Sequence, residues 1–372
     1  MAARRQTLNP PTLPGYSYVR PLGSGGFADV FLYQQNMPRR VVAVKVLLTP
    51  VDRETATRAL AAEADVMAGL SAHPAILTVY EASVAPDGRP YLVMEYCPSS
   101  MAVRYRNERI PIEEVLSVGI KIAAAIESAH QVGMLHRDIK PSNILVTSFG
   151  HPVLSDFGVA TANAGGEEDM IAMSPPWSAP EVVDRRSSGT IASEVWALTA
   201  TVYTLAAGRA PFDLPGGRRS DEQLRARIIR AKYVPTGRED APASFEWALE
   251  AGLRRLPADR YHSAREFGEA LQGVQRDLGV PVTPLELPGA EWALPTAGDG
   301  EDDGPKRTTV AVESKRHRTS DGEAHARRTR TGTHSQVTSR AVPVGRRIMI
   351  GSIIAGAALI GIIVTALLVL GR

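Results

Sequence analysis

One run of the sequence concentrates groups that can move protons and hold charge: His136-Arg137-Asp138-Ile139-Lys140-Pro141-Ser142-Asn143. A second, Asp156-Phe157-Gly158, follows a stretch that reads as a pair of short strands, Ile144-Leu145-Val146 and Val153-Leu154. The residue types set what such runs can do. The Asp138 carboxylate can accept a hydroxyl proton or orient the hydroxyl. Lys140 can offset charge on a departing anion. The Asn143 amide oxygen and the Asp156 carboxylate are ligands of the kind that Mg²⁺, a hard cation, takes together with phosphate. Either run alone reads as a polar turn between strands. What sets them apart is that both occur, in this order.

Together they resemble the catalytic loop H-R-D-x-x-x-x-N and the D-F-G motif of protein kinases, matching at every charged or amide position. Lys140 is the serine/threonine variant. The resemblance is nearest to the eukaryotic-like (Hanks-type) bacterial serine/threonine kinases that sit on the membrane. It implies transfer of the ATP γ-phosphate to Ser or Thr of proteins, the kinase itself included. That reaction asks the protein for alignment and charge compensation more than for covalent chemistry. On this resemblance Asp138 is the base, Lys140 lies against the γ-phosphate, and Asn143 and Asp156 hold Mg²⁺, with Mn²⁺ as a substitute.

The elements that must position these groups lie on both sides. Tyr16 to Leu32 alternates like a strand, broken by Gly23-Ser24-Gly25-Gly26. The run Gly23-x-Gly25-x-x-Ala28-x-Val30 resembles the kinase Gly-rich loop, whose glycines let backbone N–H groups approach phosphate. Ala28 stands where the third glycine is usual. Val41 to Leu47, rich in β-branched residues, reads as the next strand. Its Val42-Ala43-Val44-Lys45 resembles V-A-I-K, so Lys45 would meet the α- and β-phosphates, while Ala43 and Val30 would cover adenine. Arg53 to Leu70 has helical spacing. The resemblance assigns its Glu63 as the partner of Lys45; Glu54 is the alternative, nearer the helix start. Strands are expected over Ile76–Ala82 and Tyr91–Met94, joined by the turn Pro86-Asp87-Gly88. Met94 to Cys97 looks like the hinge, with Met94 as gatekeeper, backbone groups of Glu95 and Cys97 facing adenine, and Leu145 as the floor of that pocket. Cys97 reads as a passive small residue.

Pro111 to Val132 reads as a long core helix, with His130 structural. The activation segment would run from Asp156 to Ala179-Pro180-Glu181, an A-P-E match, with Ser174 at the P+1 hydroxyl position that bonds Asp138 and Lys140 in the family. Trp177 stands where Tyr is common. From Ala162 to Met173 there is no Ser, Thr or Tyr; Glu167, Glu168 and Asp169 occupy the loop, and a carboxylate there is expected to stand in weakly for a phosphate. Glu194-Val195-Trp196 departs from the family's D-V-W by one methylene, and Thr199 replaces a common glycine. Arg260 is expected to pair with Glu181. Phe267 to Leu278 closes the domain as an amphipathic helix.

The expected architecture is α+β: a two-lobe protein-kinase fold with an N-lobe over 16–97 and a C-lobe over 98–278. A disordered lead would occupy 1–15 and a disordered basic tether 279–347, interrupted by Pro281, Pro284, Pro288 and Pro295. Thr308, Thr309, Thr319, Ser320 and Thr329 lie beside basic residues and are candidate autophosphorylation sites. Ile348 to Leu370 carries no charge and is about 35 Å long as a helix, enough to cross a hydrocarbon core of about 30 Å. Arg346 and Arg347 precede it and mark the kinase side as cytoplasmic, so the chain is expected in the cell membrane as a single-pass protein. Small-xxx-small spacing at Gly351, Ser352, Ala355 and Gly356 permits close helix packing and a homodimer.

The remaining composition narrows the field. The chain has 372 residues, 44% of them hydrophobic, a formal net charge of +2 and one cysteine. This supports a large core, argues against bulk-charge nucleic-acid binding and excludes an intramolecular disulfide. The first residues carry no apolar core of a signal peptide. No sensor domain is expected after the span, so input is expected from cytosolic partners, the dimer, the tether or anionic lipid under that tether. The alternative from another class is a membrane-tethered pseudokinase scaffold, favoured by Ala28, Glu194, Thr199 and the activation loop without Ser, Thr or Tyr acceptors, and opposed by the complete set Lys45, Glu63, Asp138, Asn143 and Asp156. A small-molecule kinase is disfavoured by Ser174 and A-P-E, which build a peptide platform.

Overall fold

The structure is a computed structural model and describes residues 9–25, 28–47, 69–157, 174–213 and 220–287. These residues belong to one compact unit, 1–299. Gly26, Glu54, Glu63, the acidic run 167–169, the linker Ser and Thr residues and the apolar segment 348–370 lie outside the described residues. Among the described residues no helix is long and apolar enough to cross a membrane.

The N-lobe is a five-stranded antiparallel sheet in the order β1-β2-β3-β5-β4. Its strands are β1 Tyr16–Ser24, β2 Ala28–Asn36, β3 Arg39–Leu47, β4 Val79–Val84 and β5 Pro90–Glu95. Alternation along β3 sends Val42, Val44 and Val46 into one apolar layer with Phe31, Tyr33, Tyr91 and Val93. Lys45 and Ala43 belong to the opposite face by the same alternation.

Expected boundaries differ from those observed at both ends of the domain and at β4. Residues 9–15 are a fitted segment, not a loose lead. Leu13 is 3% exposed within that apolar layer, a burial that contributes roughly 1.5–3 kcal/mol. The Tyr33 hydroxyl donates to the Pro11 carbonyl at 2.6 Å and Arg89 donates to the Asn9 carbonyl at 2.9 Å. The strand expected from Ile76 begins instead at Val79, because Ile76 forms a parallel bridge with Leu154.

The larger lobe begins with β6 Ser99–Ser100 and α1 Met101–Asn107, followed by α2 Ile112–Gln131. β6 pairs with β7 Ile144–Val146, and β7 with β8 Pro152–Leu154. Then come α3 Pro180–Val183, α4 Ile191–Ala207, α5 Asp221–Arg230, α6 Ala243–Gly252 and α7 Ala264–Asp277. α4 starts with a capping box between Thr190 and Ser193 and ends at Gly208 in the left-handed region, φ 69°. It is buried on nearly all sides. Thr199, the residue where the family has glycine, is accommodated by Gly252 on α6: a Cβ at position 252 would collide with the Thr199 side chain. A small residue on the partner helix thus makes room for Thr199.

The tether was expected to begin at Gly279. Residues 280–287 instead pack along α7, with Leu285 against the main core. Proline bars the helix from continuing but does not prevent an extended segment from docking.

Candidate active site

The turn 136–143 is held in an unusual backbone shape. Arg137 has φ 67° and Asp156 φ 59°, both non-glycine residues in the left-handed region. Such conformations cost about 1–3 kcal/mol each and persist only where neighbours over-determine them. The neighbours are visible. Glu194 on α4 accepts the Arg137 backbone N–H at 2.5 Å, and its other oxygen takes His130 Nε2 at 2.7 Å. Both side chains are almost completely buried, at 3% and 4% exposure. The Glu194 carboxylate thus bridges two groups. Sequence reading placed His130 as structural but missed its partner, which lies on a helix in another part of the chain.

His136 ties the two runs together. Its Nε2 donates to the Ser155 carbonyl at 2.8 Å, and its Nδ1 accepts the Asp138 backbone N–H at 3.3 Å. Those bonds fix the tautomer with the proton on Nε2. Its ring lies tilted at 47° to that of Phe157, with centroids 4.6 Å apart. Burial holds its pKa below the ordinary histidine value, so the ring is neutral. The Ser155 N–H and hydroxyl both donate to the Asn143 carbonyl, at 2.8 and 3.0 Å.

Four of the sequence-predicted residues meet at one carboxylate. Asp138 Oδ1 accepts from the Ser174 hydroxyl at 2.8 Å. Asp138 Oδ2 accepts from Lys140 Nζ at 2.6 Å and from Asn143 Nδ2 at 3.1 Å. Lys140 also donates to Ser174 Oγ at 2.8 Å. A carboxylate offers about four lone-pair sites; three are taken, and the remaining one is on Oδ1. That is the oxygen a substrate hydroxyl can address.

Asp156 and Lys45 form the second pair, Nζ to Oδ1 at 2.6 Å. Protein surrounding Asp156 pushes its carboxyl up, but the Lys45 charge and hydrogen bond more than offset this and its pKa is lowered overall. The carboxylate still opens to the cleft, at 46% exposure. It is therefore an ionised group in reach of a ligand.

Around the adenine position, Ala43 lies opposite Met94 across β3 and β5, and Leu145 lies between Ser100 and Val153. The Glu95 N–H is spent on the Thr78 carbonyl at 2.9 Å, so of its two backbone groups the carbonyl is the one to offer adenine. Burial pushes the Cys97 thiol up to about 12, which makes it a poor nucleophile. Gly23 pairs with Val30 and Ser24 with Asp29, and Gly25 N–H donates to the Ala28 carbonyl at 2.8 Å. These bonds shape the base of the Gly-rich turn.

The donor set suits magnesium. Asn143 turns its Nδ2 to the Asp138 carbonyl at 2.8 Å, and its Oδ1, which accepts from the Ser142 hydroxyl at 3.3 Å, keeps a second lone pair for another partner. With Asp156 this makes one carboxylate and one amide oxygen, the sparse protein share that Mg²⁺ takes when phosphates and water supply the rest. Among the described residues no three His, Cys, Asp or Glu side chains gather as a metal cage.

The platform beside Asp138 is anchored from below. Arg260 grips Glu181 through two parallel bonds, each 2.8 Å, and lies 4.9 Å over the Trp196 ring. Trp177 donates its indole N–H to Thr204 Oγ1 at 3.0 Å.

Residues 16–253 match the protein kinase domain family. The chain belongs to that family. It is 41% identical to the serine/threonine-protein kinase PknK of Mycobacterium tuberculosis (strain ATCC 25618 / H37Rv) over 282 residues, covering 74% of this chain and 25% of PknK. It is 29% identical to the serine/threonine-protein kinase PknI of Mycobacterium tuberculosis (strain CDC 1551 / Oshkosh) over 305 residues, covering 78% of this chain and 46% of PknI. A crystal structure of the Mycobacterium tuberculosis PknI kinase domain, in a mutant form, superposes with a TM-score of 0.51 at 29% identity, covering 72% of this chain and 99% of that domain. The chain thus spans a quarter to under half the length of these curated relatives. The kinase domain is the part it shares with them.

Proposed function

We propose that this protein is a serine/threonine protein kinase that moves the ATP γ-phosphate to Ser or Thr hydroxyls of proteins, its own chain included. The observation that carries the reading is the Asp138 carboxylate, held by Lys140, Asn143 and Ser174 with one lone pair left on Oδ1. A substrate hydroxyl at that oxygen is oriented for attack and can pass its proton to Asp138. Lys140, bonded to both Asp138 and Ser174, sits where charge builds on the transferred group. Lys45 would leave Asp156 for the nucleotide phosphates, and Asp156 with Asn143 would hold Mg²⁺. That ion, when bound, supplies charge neutralisation at the phosphates. The printed names of PknK and PknI, both serine/threonine-protein kinases, support the same activity.

The test uses the full chain with labelled ATP, Mg²⁺ and a generic basic protein, beside Asp138→Asn. Label on Ser and Thr should fall by roughly 10²–10⁴-fold in the variant, the range of a lost general base. Label that persists in Asp138→Asn would overturn the assignment. Thermal stabilisation by ATP with no label in the unaltered chain would point to a nucleotide-binding scaffold.

The anchoring part of the proposal rests on sequence alone: the uncharged run Ile348–Leu370 behind Arg346 and Arg347. It places the kinase domain at the cytoplasmic face of the membrane, in signalling there. The full chain should stay with the membrane pellet through an alkaline carbonate wash, and a chain lacking 348–370 should not. Release of both alike would remove the span from the reading.

A further inference from the structure

Residues 280–287 run back along the helix they leave, in an extended path. Thr283, Leu285 and Leu287 are half-buried, while Val282, Pro284 and Glu286 are exposed, the period of two of a chain laid flat on a surface. Each of three successive contacts has a prepared receiver. Gln275, buried on α7, accepts the Thr283 N–H at 2.8 Å and donates to Thr283 Oγ1 at 2.9 Å, and Gln272 donates to the Thr283 carbonyl at 2.8 Å. Leu285 fills the space left by Gly268, where a Cβ would come within 2.6 Å of Leu285 Cδ1. The Glu286 carbonyl then accepts from His73 Nε2 at 2.8 Å.

His73 belongs to the loop that enters β4, and it is 9% exposed. Its Nδ1 accepts the Ala75 N–H at 3.0 Å. This loop is stitched to the strand leading into the active site. The Ala75 carbonyl accepts the Leu154 N–H at 2.9 Å, and Leu77 N–H donates to the Leu154 carbonyl at 2.9 Å. Leu154 lies just upstream of Ser155, whose carbonyl takes His136, and of Asp156, which meets Lys45.

We propose that residues 280–287 act as a latch that controls phosphotransfer. Seated, they hold His73 and the loop 73–77, and through Leu154 they keep Asp156 in register with Asp138. Lifted, they leave a buried imidazole without its acceptor, loosen the loop and slow the transfer. The chain runs on from Leu287 to Arg372, so a partner or force that takes hold of that continuation acts first on the latch. The effect on transfer rests on the kinase reading above; the effect on the loop does not.

The experiment compares the full chain with the double variant Thr283→Ala/Leu285→Ala, reading amide hydrogen exchange and phosphotransfer in the same samples. Exchange at Leu77 and Leu154 should rise about tenfold or more, exchange within α4 should stay unchanged, and transfer should fall several-fold. The single variant His73→Ala should loosen the same loop, and His73→Gln, which keeps an N–H donor, should recover most of the protection. The latch is overturned by a released 280–287 segment with no change at Leu77 and Leu154. It is equally overturned by a uniform rise in exchange over α4, which is general destabilisation. Local loosening with undiminished transfer overturns the control of activity. No transfer in the unaltered chain, with the loop still loosened in the variant, overturns the kinase reading and leaves the loop coupling standing.

Discussion

Glu194 on α4 holds the backbone N–H of Arg137 at 2.5 Å, and with its second oxygen holds His130 at 2.7 Å. One carboxylate therefore joins a helix of the core, the end of α2 and a strained residue of the catalytic turn. The expected result of Glu194→Asp is a side chain too short to serve both groups. Losing a hydrogen bond to a charged group costs about 1.5–3 kcal/mol. The turn should relax, kcat should drop by at least about tenfold, and ATP binding, governed by other residues, should change little. Steady-state kinetics with separate kcat and KM for ATP would check this. A large rise in KM at constant kcat would contradict it.

Ser174 makes the next case. Its hydroxyl donates a hydrogen bond to Asp138 Oδ1 and accepts one from Lys140. Ser174→Ala removes both bonds, leaving Asp138 held only through Oδ2, by Lys140 and Asn143, and Lys140 without its second anchor. A loss of about 1–2 kcal/mol, roughly 5- to 30-fold in kcat/KM, is expected. Ser174→Thr keeps the hydroxyl and should retain most of the rate. Equal losses in both variants would mean that bulk, not the hydroxyl, matters at this position.

Much of this site was legible in sequence because its residues cluster along the chain. Asp138, Lys140 and Asn143 sit within one short turn, and their motif put them around one carboxylate. Glu181 and Arg260 were paired correctly across a long separation because both belong to motifs. Residues 9–15 and 280–287 dock partly through backbone carbonyls, those of Asn9, Pro11 and Glu286, which every residue has and which leave no mark in the sequence. They dock also through Leu13, Thr283 and Leu285, whose receivers come together only in the folded chain. The early start expected for β4 failed similarly. Ile76 and Leu77 have strand-like side chains, but their backbone pairs with Leu154 rather than with β5.

The buried histidines set a pH dependence. Burial holds the pKa of His136 and of His73 below the ordinary value. The unfolded chain then takes up these protons at a higher pH than the folded one. Linkage makes stability fall as pH drops through the unfolded value of about 6.5. The lowered carboxyl of Asp156 acts in the same direction further down, its stabilisation being lost as pH falls below about 4. Tm should decline from pH 7.5 to pH 5.5. His73→Gln, which cannot be protonated, should make that decline shallower. A Tm flat across this range would show that the two imidazoles take up protons in the folded chain at the same pH as in the unfolded one.

The pair Arg260–Glu181 should behave as a buried charge cluster. Arg260→Met removes both bonds to Glu181 and leaves its carboxylate, at 8% exposure, without its partner. Breaking one side of such a pair costs about 3–5 kcal/mol. It also deprives the carbonyls of Arg254, Arg255 and Ala192 of the donors they have in Arg260. The double variant Arg260→Met/Glu181→Leu removes the lone charge but not the three abandoned carbonyls. Its loss in urea unfolding should therefore lie below the sum of the single losses yet well short of full recovery. Because Glu181 ends the platform that starts at Ser174, the single variant should also slow phosphotransfer at a temperature where it is still folded. Strict additivity in the cycle would mean that the two side chains do not act as a unit, and the platform would then need another anchor.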